Sequence, residues 1–443
     1  MSALFLLFFI VTFSYPLDAE EFPPKLLSEV GIFQDLGEQI INPELVPYTV
    51  NSPFWSDGTY KTRFMWLPIG EQIAFSPDQA WEFPQHTILI KNFYLEIVRG
   101  DPNTRKIIET RLMVKNGRND SWNGYSYQWN TEGTEAYLLS GSSTQTFVID
   151  NPTDPVAGFL LQDYYYPSGN DCLSCHTKAA GRVLGLRTSQ LNRIMDGEQN
   201  QLRMLEETNI FREDLPNELN ELPKLPNPFD EQKSLQERAR SYLATNCSQC
   251  HRPQSVSRTI LDLRYDTELS ETNTVNAYPT LGALGSTDAR IIAPGAPSNS
   301  TIYLRMLSLD SFRMPSIGST AIDIRGSRLV AQWITTMGVP TTVSDVKKSA
   351  HNVIGLSHNY PNPFNSATNI NFQISEIGQT ILSIHNIEGK NVRTLVDKEL
   401  TPGRYHFLWD GRRDDGINVS SGVYFYRLQT EQFKINRRLS LIR

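Results

Sequence analysis

The chain has 443 residues, 39% of them hydrophobic, so it can bury the cores of about three domains. Its formal net charge is −7, and residues 352–443 carry 11 Lys and Arg against 8 Asp and Glu, which leaves −10 on the part before them. An acidic body of this kind argues against nucleic acid as a partner.

The N-terminus carries an apolar run that is typical of export. Residues 3–13 are uncharged and largely apolar, and Pro16 and the small Ala19 follow them. This pattern predicts a signal peptide over residues 1–19, although the usual Lys or Arg before the run is missing. The run is shorter than the roughly 20 apolar residues that cross a membrane. We therefore expect an exported chain with no transmembrane span in its mature form.

Residues 22–166 are predicted to form a β-rich domain. Three stretches with alternating or continuous apolar residues, separated by Gly, Pro and Asn, read as strands of an antiparallel sandwich or barrel: residues 87–97, 106–114 and 124–129. Large aromatic side chains usually bury, so we expect the tryptophans of this region in the core and not on a carbohydrate-binding platform.

All four cysteines of the chain lie in two copies of one motif, Cys-X-X-Cys-His. The motifs consist of Cys172, Cys175 and His176, and of Cys247, Cys250 and His251. This spacing is typical of c-type haem attachment, in which the thiols bind haem covalently and the histidine is the proximal iron ligand. Disulfides and structural zinc are the alternatives, but zinc sites usually need a further ligand pair and redox disulfides need no histidine. The sequence thus predicts two covalently attached haem c groups.

The region around the motifs is predicted to be mainly helical. Residues 191–205 look like one helix, and four prolines between 216 and 228 then indicate a linker between the two haems. Apolar residues at helical spacing lead from Leu235 into Cys247, and a closing helix ends at Gly338.

The second half of this region, residues 234–338, resembles a class I cytochrome c. A helix enters the motif, a loop carries Arg313-Met314-Pro315, and a helix with an aromatic residue closes the segment. The resemblance implies that Met314 is the sixth ligand of the second haem iron. Packing against the core is the alternative for Met314, and Met306 and Met337 are its competitors.

The sixth ligand of the first haem is not identified, because no Met-Pro step follows Cys175 in this half. The other candidates are His86, Met113, Met195 and Met204, and an open sixth position is a further possibility. An open iron would suit chemistry on peroxide or on small ligands. Residues 30–33, 51–58, 83–91, 109–112, 171–177 and 190–192 together resemble a poorly characterised bacterial family of di-haem c-type cytochromes. That resemblance implies haem binding and names no substrate.

The C-terminal residues are predicted to form an immunoglobulin-like β-sandwich, because short alternating strands are separated by turns from about residue 356 onward. The ordered motifs at residues 359–365, 409–411 and 421–428, with Arg437 and Arg438 near the end, resemble the type A sorting domains of the type IX secretion system. The resemblance implies passage through the periplasm and then across the outer membrane. An ordinary spacer or carbohydrate-binding sandwich is the alternative.

The predicted fold class is multidomain, with a β-rich N-terminal domain, a mainly α cytochrome c region and a C-terminal immunoglobulin-like β-sandwich. The predicted boundaries are 1–19 for the signal peptide, 22–166 for the β-rich domain, 167–230 for the first haem segment, 231–340 for the class I-like domain, 341–355 for a linker and 356–443 for the sorting domain.

The predicted function is that of a secreted or cell-surface di-haem cytochrome. It would bind iron through haem, transfer single electrons to a redox partner protein or an extracellular acceptor, and be exported by the type IX machinery. We assign no catalytic residue. Two other functions remain open: a di-haem peroxidase whose first iron is open, and a haem-linked binding module for a partner dehydrogenase.

Overall fold

In the computed structural model, the described residues are 23–116, 121–152, 158–195, 197, 199–257, 259–286, 288–337, 355–356, 359, 362–374, 377–401, 403–430 and 434–442. The predicted signal peptide, nearly all of the predicted 341–355 linker, and Gly338 lie outside them.

The first half of the chain is rich in β-structure. Its strands are β1 Phe33–Asp35, β2 Ile40–Ile41, β3 Val46–Pro47, β4 Tyr60–Trp66, β5 Ile88–Glu96, β6 Arg105–Val114, β7 Asn123–Trp129, β8 Ala136–Leu138, β9 Ser143–Asp150 and β10 Phe159–Tyr166. Strands β3 to β8 form one antiparallel sheet in sequence order, while β1–β2 and β9–β10 form separate hairpins. Short 3-10 helices occur at Leu27–Val30 and Pro102–Thr104.

The six-stranded sheet is covered on both faces, and this explains the continuous apolar runs in β5 and β6. Ile88 and Ile90 pack on one face with Trp66 and Trp129, in a core that belongs to the N-terminal domain. Leu89 lies on the opposite face, in a core shared with residues 183–219. Because side chains alternate along a strand, each strand contributes to both cores. Cys172 of the first motif packs against the core on this second face.

Helices follow between residues 169 and 336. They are α1 Gly169–Cys175, α2 Thr188–Leu191, α3 Gln201–Glu207, α4 Leu235–Asn246, α5 Thr301–Met306 and α6 Ile324–Thr336, with 3-10 turns at Leu219–Glu221, Leu269–Glu271 and Pro297–Asn299. The prediction of a mainly α region is wrong: among the helices of the described residues, only α4 and α6 are longer than seven residues, and irregular backbone joins the helices. Side-chain hydrogen bonds and packing hold these connections in place of regular structure.

The predicted helix over residues 191–205 is divided in two. After α2, the Asn192 side chain donates to the carbonyl groups of Leu219 and Leu222. These hydrogen bonds tie the chain at Asn192 to the loop at residues 219–222, and the helix does not continue. The Asn200 side chain then accepts from the amide of Leu202 and begins α3. Asparagine competes for backbone hydrogen bonds in this way, which the apolar spacing alone could not indicate.

Residues 51–58 join the sheet domain to both motif-bearing segments. The Asn51 side chain donates to the carbonyl groups of Ser189 and Asn192, near the first motif. Trp55 donates its amide to Asn246 at the end of α4, beside the second motif. This loop therefore contacts both motif-bearing segments.

The C-terminal region is an Ig-like β-sandwich, as predicted. Its strands are β11 Gly355–Leu356, β12 Thr368–Ile374, β13 Gly378–His385, β14 Asn391–Leu400, β15 Gly403–Trp409, β16 Gly422–Thr430 and β17 Lys434–Leu441. One sheet has the order β11-β12-β15 and the other β14-β13-β16-β17. Alternate residues such as Ile370, Phe372 and Ile374 fill the core between the sheets, around the buried Trp409.

Within the described residues, no helix has both the length and the apolar character needed to cross a membrane.

Candidate functional site

The first motif lies on α1, which is seated against the sheet. Ser168 caps this helix, since its hydroxyl accepts from the amide of Asp171 and the Asp171 carboxylate accepts from the amide of Ser168. At the closest approach, a Cβ added to Gly124 of β7 would lie 2.6 Å from Cys172 Cβ, and one added to Gly169 would lie 2.6 Å from the Gly124 oxygen. Two glycines thus allow the helix to contact the strand backbone and bring Cys172 to the sheet.

His176 is the C-terminal capping residue of α1, and a contact to a backbone carbonyl orients its ring. Its Nδ1 lies 2.6 Å from the carbonyl oxygen of Arg182. If Nδ1 carries the proton, it donates to that carbonyl and leaves Nε2 with a lone pair for a metal. Burial, assisted by the positive charge of Lys91, lowers the pKa of His176 to about 4. The imidazole is therefore neutral at physiological pH, as iron ligation requires.

The second motif follows α4 directly. The amide groups of Cys250 and His251 both donate to the carbonyl of Cys247, so the motif continues as a tight turn. His251 Nδ1 lies 3.0 Å from the hydroxyl of Thr259 and 3.2 Å from that of Ser257. Burial lowers the pKa of His251 as well. In both motifs Nδ1 lies within hydrogen-bonding distance of an oxygen atom, so Nε2 is the ring nitrogen that remains to bind a metal.

The two motifs, separated by 75 residues in the sequence, meet in the structure. Cys250 Sγ lies 3.5 Å from the carbonyl oxygen of Ser174, and the Arg252 guanidinium donates to the carbonyl of Ala179 at 3.2 Å. A hydrogen bond between the Cys175 and Cys250 thiols raises the pKa of Cys175 and lowers that of Cys250. All four cysteines are free thiols. Groups bound at the two motifs would be close neighbours.

A cavity of about 900 Å³ opens beside the first motif. This volume is near the upper end of the roughly 300–1,000 Å³ typical of cofactor pockets. Cys172, Cys175 and His176 line it, together with the inner face of the sheet and one side of α4. Three cations of the sheet, Arg63, Lys91 and Arg111, also line it. No sequence motif singles out these cations, because only the strand register brings them together.

The candidate sixth ligands of the first haem iron lie in different parts of the structure. Met113 lines the cavity, next to Cys172, whereas the Met204 side chain is 39% exposed. Met195 Sδ accepts from the Thr49 hydroxyl at 3.5 Å. His86 lies in the turn before β5, where its amide donates to the carbonyl of Lys115. The first motif thus has one candidate, Met113, in the cavity wall.

The Met314 amide donates to the carbonyl of Arg305, at the end of α5. Met306 and Met337 instead pack against the apolar core formed by α4 and α6, which Cys247 also contacts. The role of Met314 as an iron ligand stays a prediction.

Metal binding, one of the descriptions derived from the sequence, needs correction. The described residues contain no group of three or more His, Cys, Asp or Glu side chains that could hold a metal ion. The family match given below carries no haem-binding signal either. Of the sequence-based descriptions, only those concerning secretion agree with that match. The described side chains therefore form no bare metal centre of this kind.

Comparison with protein families identifies the C-terminal sandwich. Residues 359–432 match the FlgD Ig-like domain. The rest of the chain lies outside this match. No curated protein matches the chain.

Three solved structures are similar to part of the chain. They are dimeric latent PorU from Porphyromonas gingivalis (13% identity, 21% of this chain, 9% of that chain, TM-score 0.18), PorZ, a surface component of the type-IX secretion system of the same organism (24%, 20%, 12%, 0.15), and FlgD from P. aeruginosa (15%, 17%, 58%, 0.14). The chain covers less than two thirds of each of these proteins. At such identities and TM-scores, the similarity does not bear on function.

Proposed function

We propose that this chain is an exported two-haem c-type protein that passes single electrons to a partner protein or an extracellular acceptor. The observation that carries the proposal is the contact between the two Cys-X-X-Cys-His motifs, where Cys250 Sγ lies 3.5 Å from the Ser174 carbonyl. Two redox groups that exchange electrons need to be close neighbours.

The residues at both motifs fit a covalently bound haem. Each motif offers two free thiols and one histidine whose Nδ1 contacts an oxygen atom. The donor set of one histidine, with Met314 as second ligand at the second motif, suits haem iron and not a bare ion. The first motif also adjoins a cavity of about 900 Å³.

Bound haem would supply reversible one-electron exchange at iron. The chain orients the proximal imidazoles through the Arg182 carbonyl and the Thr259 hydroxyl. It fixes the position of Cys172 through the close contact of α1 with the sheet at Gly124. Buried surroundings control the reduction potential of a redox centre.

Haem content tests this proposal directly. We expect mass spectrometry of the exported protein to show two covalently bound haems in the wild type. Each of the double variants C172A/C175A and C247A/C250A should retain one. A haem-free wild type, exported and folded in a host that attaches c-type haem, would contradict the proposal.

The role of Met314 has a separate optical test. In Met314→Leu, the absorption band of a methionine bound to ferric iron should disappear, whereas Met306→Leu serves as the matched control and should keep it. A redox titration should then show that the potential of one haem falls in Met314→Leu alone, because a thioether ligand raises the potential. Equal spectra of both variants would remove Met314 from the ligand set.

We also propose that the C-terminal sandwich directs export through the type IX machinery. The ordered motifs of the tail support this, and so does the Ig-like character of residues 359–432. A chain truncated after residue 355 should remain in the periplasm with its full haem content, while the intact chain reaches the cell surface or medium. Surface delivery of the truncated chain would contradict a sorting role, and the haem content shows whether the body has folded.

A further inference from the structure

Three positive side chains lie directly opposite one another across the sheet. In the strand register, Arg63 of β4 pairs with Lys91 of β5, and Lys91 pairs with Arg111 of β6. All three line the cavity. Like charges at directly opposed positions destabilise a sheet. We call these three residues the cationic row.

Carboxylates of the protein neutralise only one end of the cationic row. Glu109 accepts two hydrogen bonds from the Arg111 guanidinium, both at 2.7 Å, and a third from the Tyr164 hydroxyl at 2.7 Å. In the part of the chain that the structure describes, neither Arg63 nor Lys91 forms an ion pair. Half-buried charges of this kind are costly unless something pairs with them, and burial together with the charges of Arg63 and Arg111 lowers the pKa of Lys91 to about 7.

The cationic row is next to the first motif. One row further along the same face are Met65, Leu89 and Met113, which oppose each other in the same three strands, and Met113 pairs with Gly124. Gly124 is the residue that contacts Cys172. Adjacent rows on one face of a sheet are about 7 Å apart, so the cationic row lies roughly that distance from the row at which α1 contacts the sheet. The positive charge of Lys91 accordingly acts on the pKa of His176.

We propose that Arg63, Lys91 and Arg111 bind an anionic oxygen group, a carboxylate or an inorganic oxyanion, on the cavity wall beside the first motif. The Arg63 guanidinium can donate to two such oxygens at once, and Lys91 adds a point charge beside it. Arg111 already donates through Nε and Nη2 to Glu109, so it contributes mainly its remaining nitrogen, Nη1. The anion is either a propionate of a haem held at Cys172 and Cys175 or a small anion from solution. Only the first source rests on the proposed function.

Thermal unfolding with inorganic phosphate as the probe tests the site. The full chain and its C172A/C175A variant are heated with phosphate or with chloride at equal ionic strength, and mass spectrometry counts the haems in each sample. A ligand that binds the folded state raises Tm, by about 3 °C at ten times its Kd. If the anion comes from solution, phosphate raises the Tm of both proteins. If it is a propionate, phosphate raises the Tm of the C172A/C175A variant alone.

Lys91→Met supplies a second measurement that does not need the cysteine variant. With the anion bound, Lys91→Met lowers the Tm of the full chain in its native haem state and abolishes any phosphate effect. With no anion bound, the same change relieves repulsion within the cationic row and raises Tm. Lys106→Met, which changes an exposed lysine on the neighbouring strand β6, is the control and should leave the phosphate effect unchanged.

The outcomes separate the two proposals. A Tm that phosphate does not change in either protein, together with a higher Tm of Lys91→Met, overturns the anion site. A wild type that carries no haem but gains Tm in phosphate overturns the proposed function and keeps the anion site. A haem-bearing protein in which Lys91→Met raises Tm overturns the anion site and keeps the proposed function.

Discussion

The contact between α1 and β7 leads to a sharp prediction for Gly124→Ala. The backbone at Gly124 does not have a positive φ, so alanine meets no backbone strain there. The added Cβ would nevertheless lie 2.6 Å from Cys172 Cβ, 3.1 Å from Cys172 Sγ and 3.3 Å from Met113 Sδ. Real atoms do not approach so closely, and α1 must therefore shift away from the sheet.

The magnitude follows from two opposing effects. Overpacking costs about 1–3 kcal/mol when the backbone has to move. Replacing glycine in a strand stabilises by about 0.5–1 kcal/mol, because the unfolded chain loses freedom. We expect Gly124→Ala to lower the free energy of unfolding by about 1–2 kcal/mol, and to reduce the haem bound at Cys172 while that at Cys247 is retained.

Urea unfolding followed by tryptophan fluorescence measures this effect, since the buried Trp122 is two residues from Gly124. Gly141→Ala is the matched control, because a Cβ there has nothing within 4 Å and the backbone also lacks a positive φ. Peptide mass spectrometry then gives the haem content of each motif. If Gly124→Ala and Gly141→Ala unfold at the same urea concentration, the close seat of α1 on the sheet is wrong.

Two further predictions concern the crossing of α4 and α6. Gly326→Ala places a Cβ against the Tyr242 ring, closer than real atoms approach, so it should destabilise this region by about 1–3 kcal/mol in urea unfolding. Gly378→Ala, whose Cβ meets open space, should not. Tyr242 donates to the Asp323 carboxylate at 2.8 Å, and burial raises the pKa of Asp323 above 3.8. The folded state therefore holds this proton more tightly, and the stability it provides is present below pH 3.8 and lost as pH rises through the folded pKa. As the pH rises through that folded pKa, the Tm of the wild type should therefore fall relative to the Tm of Asp323→Asn. A Tm difference that does not depend on pH would refute the raised pKa of Asp323.

Much of the β-structure could be predicted from local pattern. The predicted strand over residues 87–97 appears as β5, Ile88–Glu96, and that over 106–114 as β6, Arg105–Val114. In the tail, the predicted alternation over residues 368–374 coincides with β12. These succeed because the apolar period along a strand is a local property. The helical region was predicted less well, since the Asn192 and Asn200 side chains interrupt a pattern whose apolar spacing suggested one helix.

The sequence by itself determined the chemistry that each motif can perform, because the two thiols and the histidine of Cys-X-X-Cys-His act within five consecutive residues. It also determined the Ig-like character of the tail, whose turns and alternation are local. Only the tertiary structure decided that Cys250 meets Ser174 and that Arg63, Lys91 and Arg111 form one row. Such contacts depend on strand register and on loop 51–58, which join residues far apart in the chain, and a shift of one residue in register would move the cations to the opposite face.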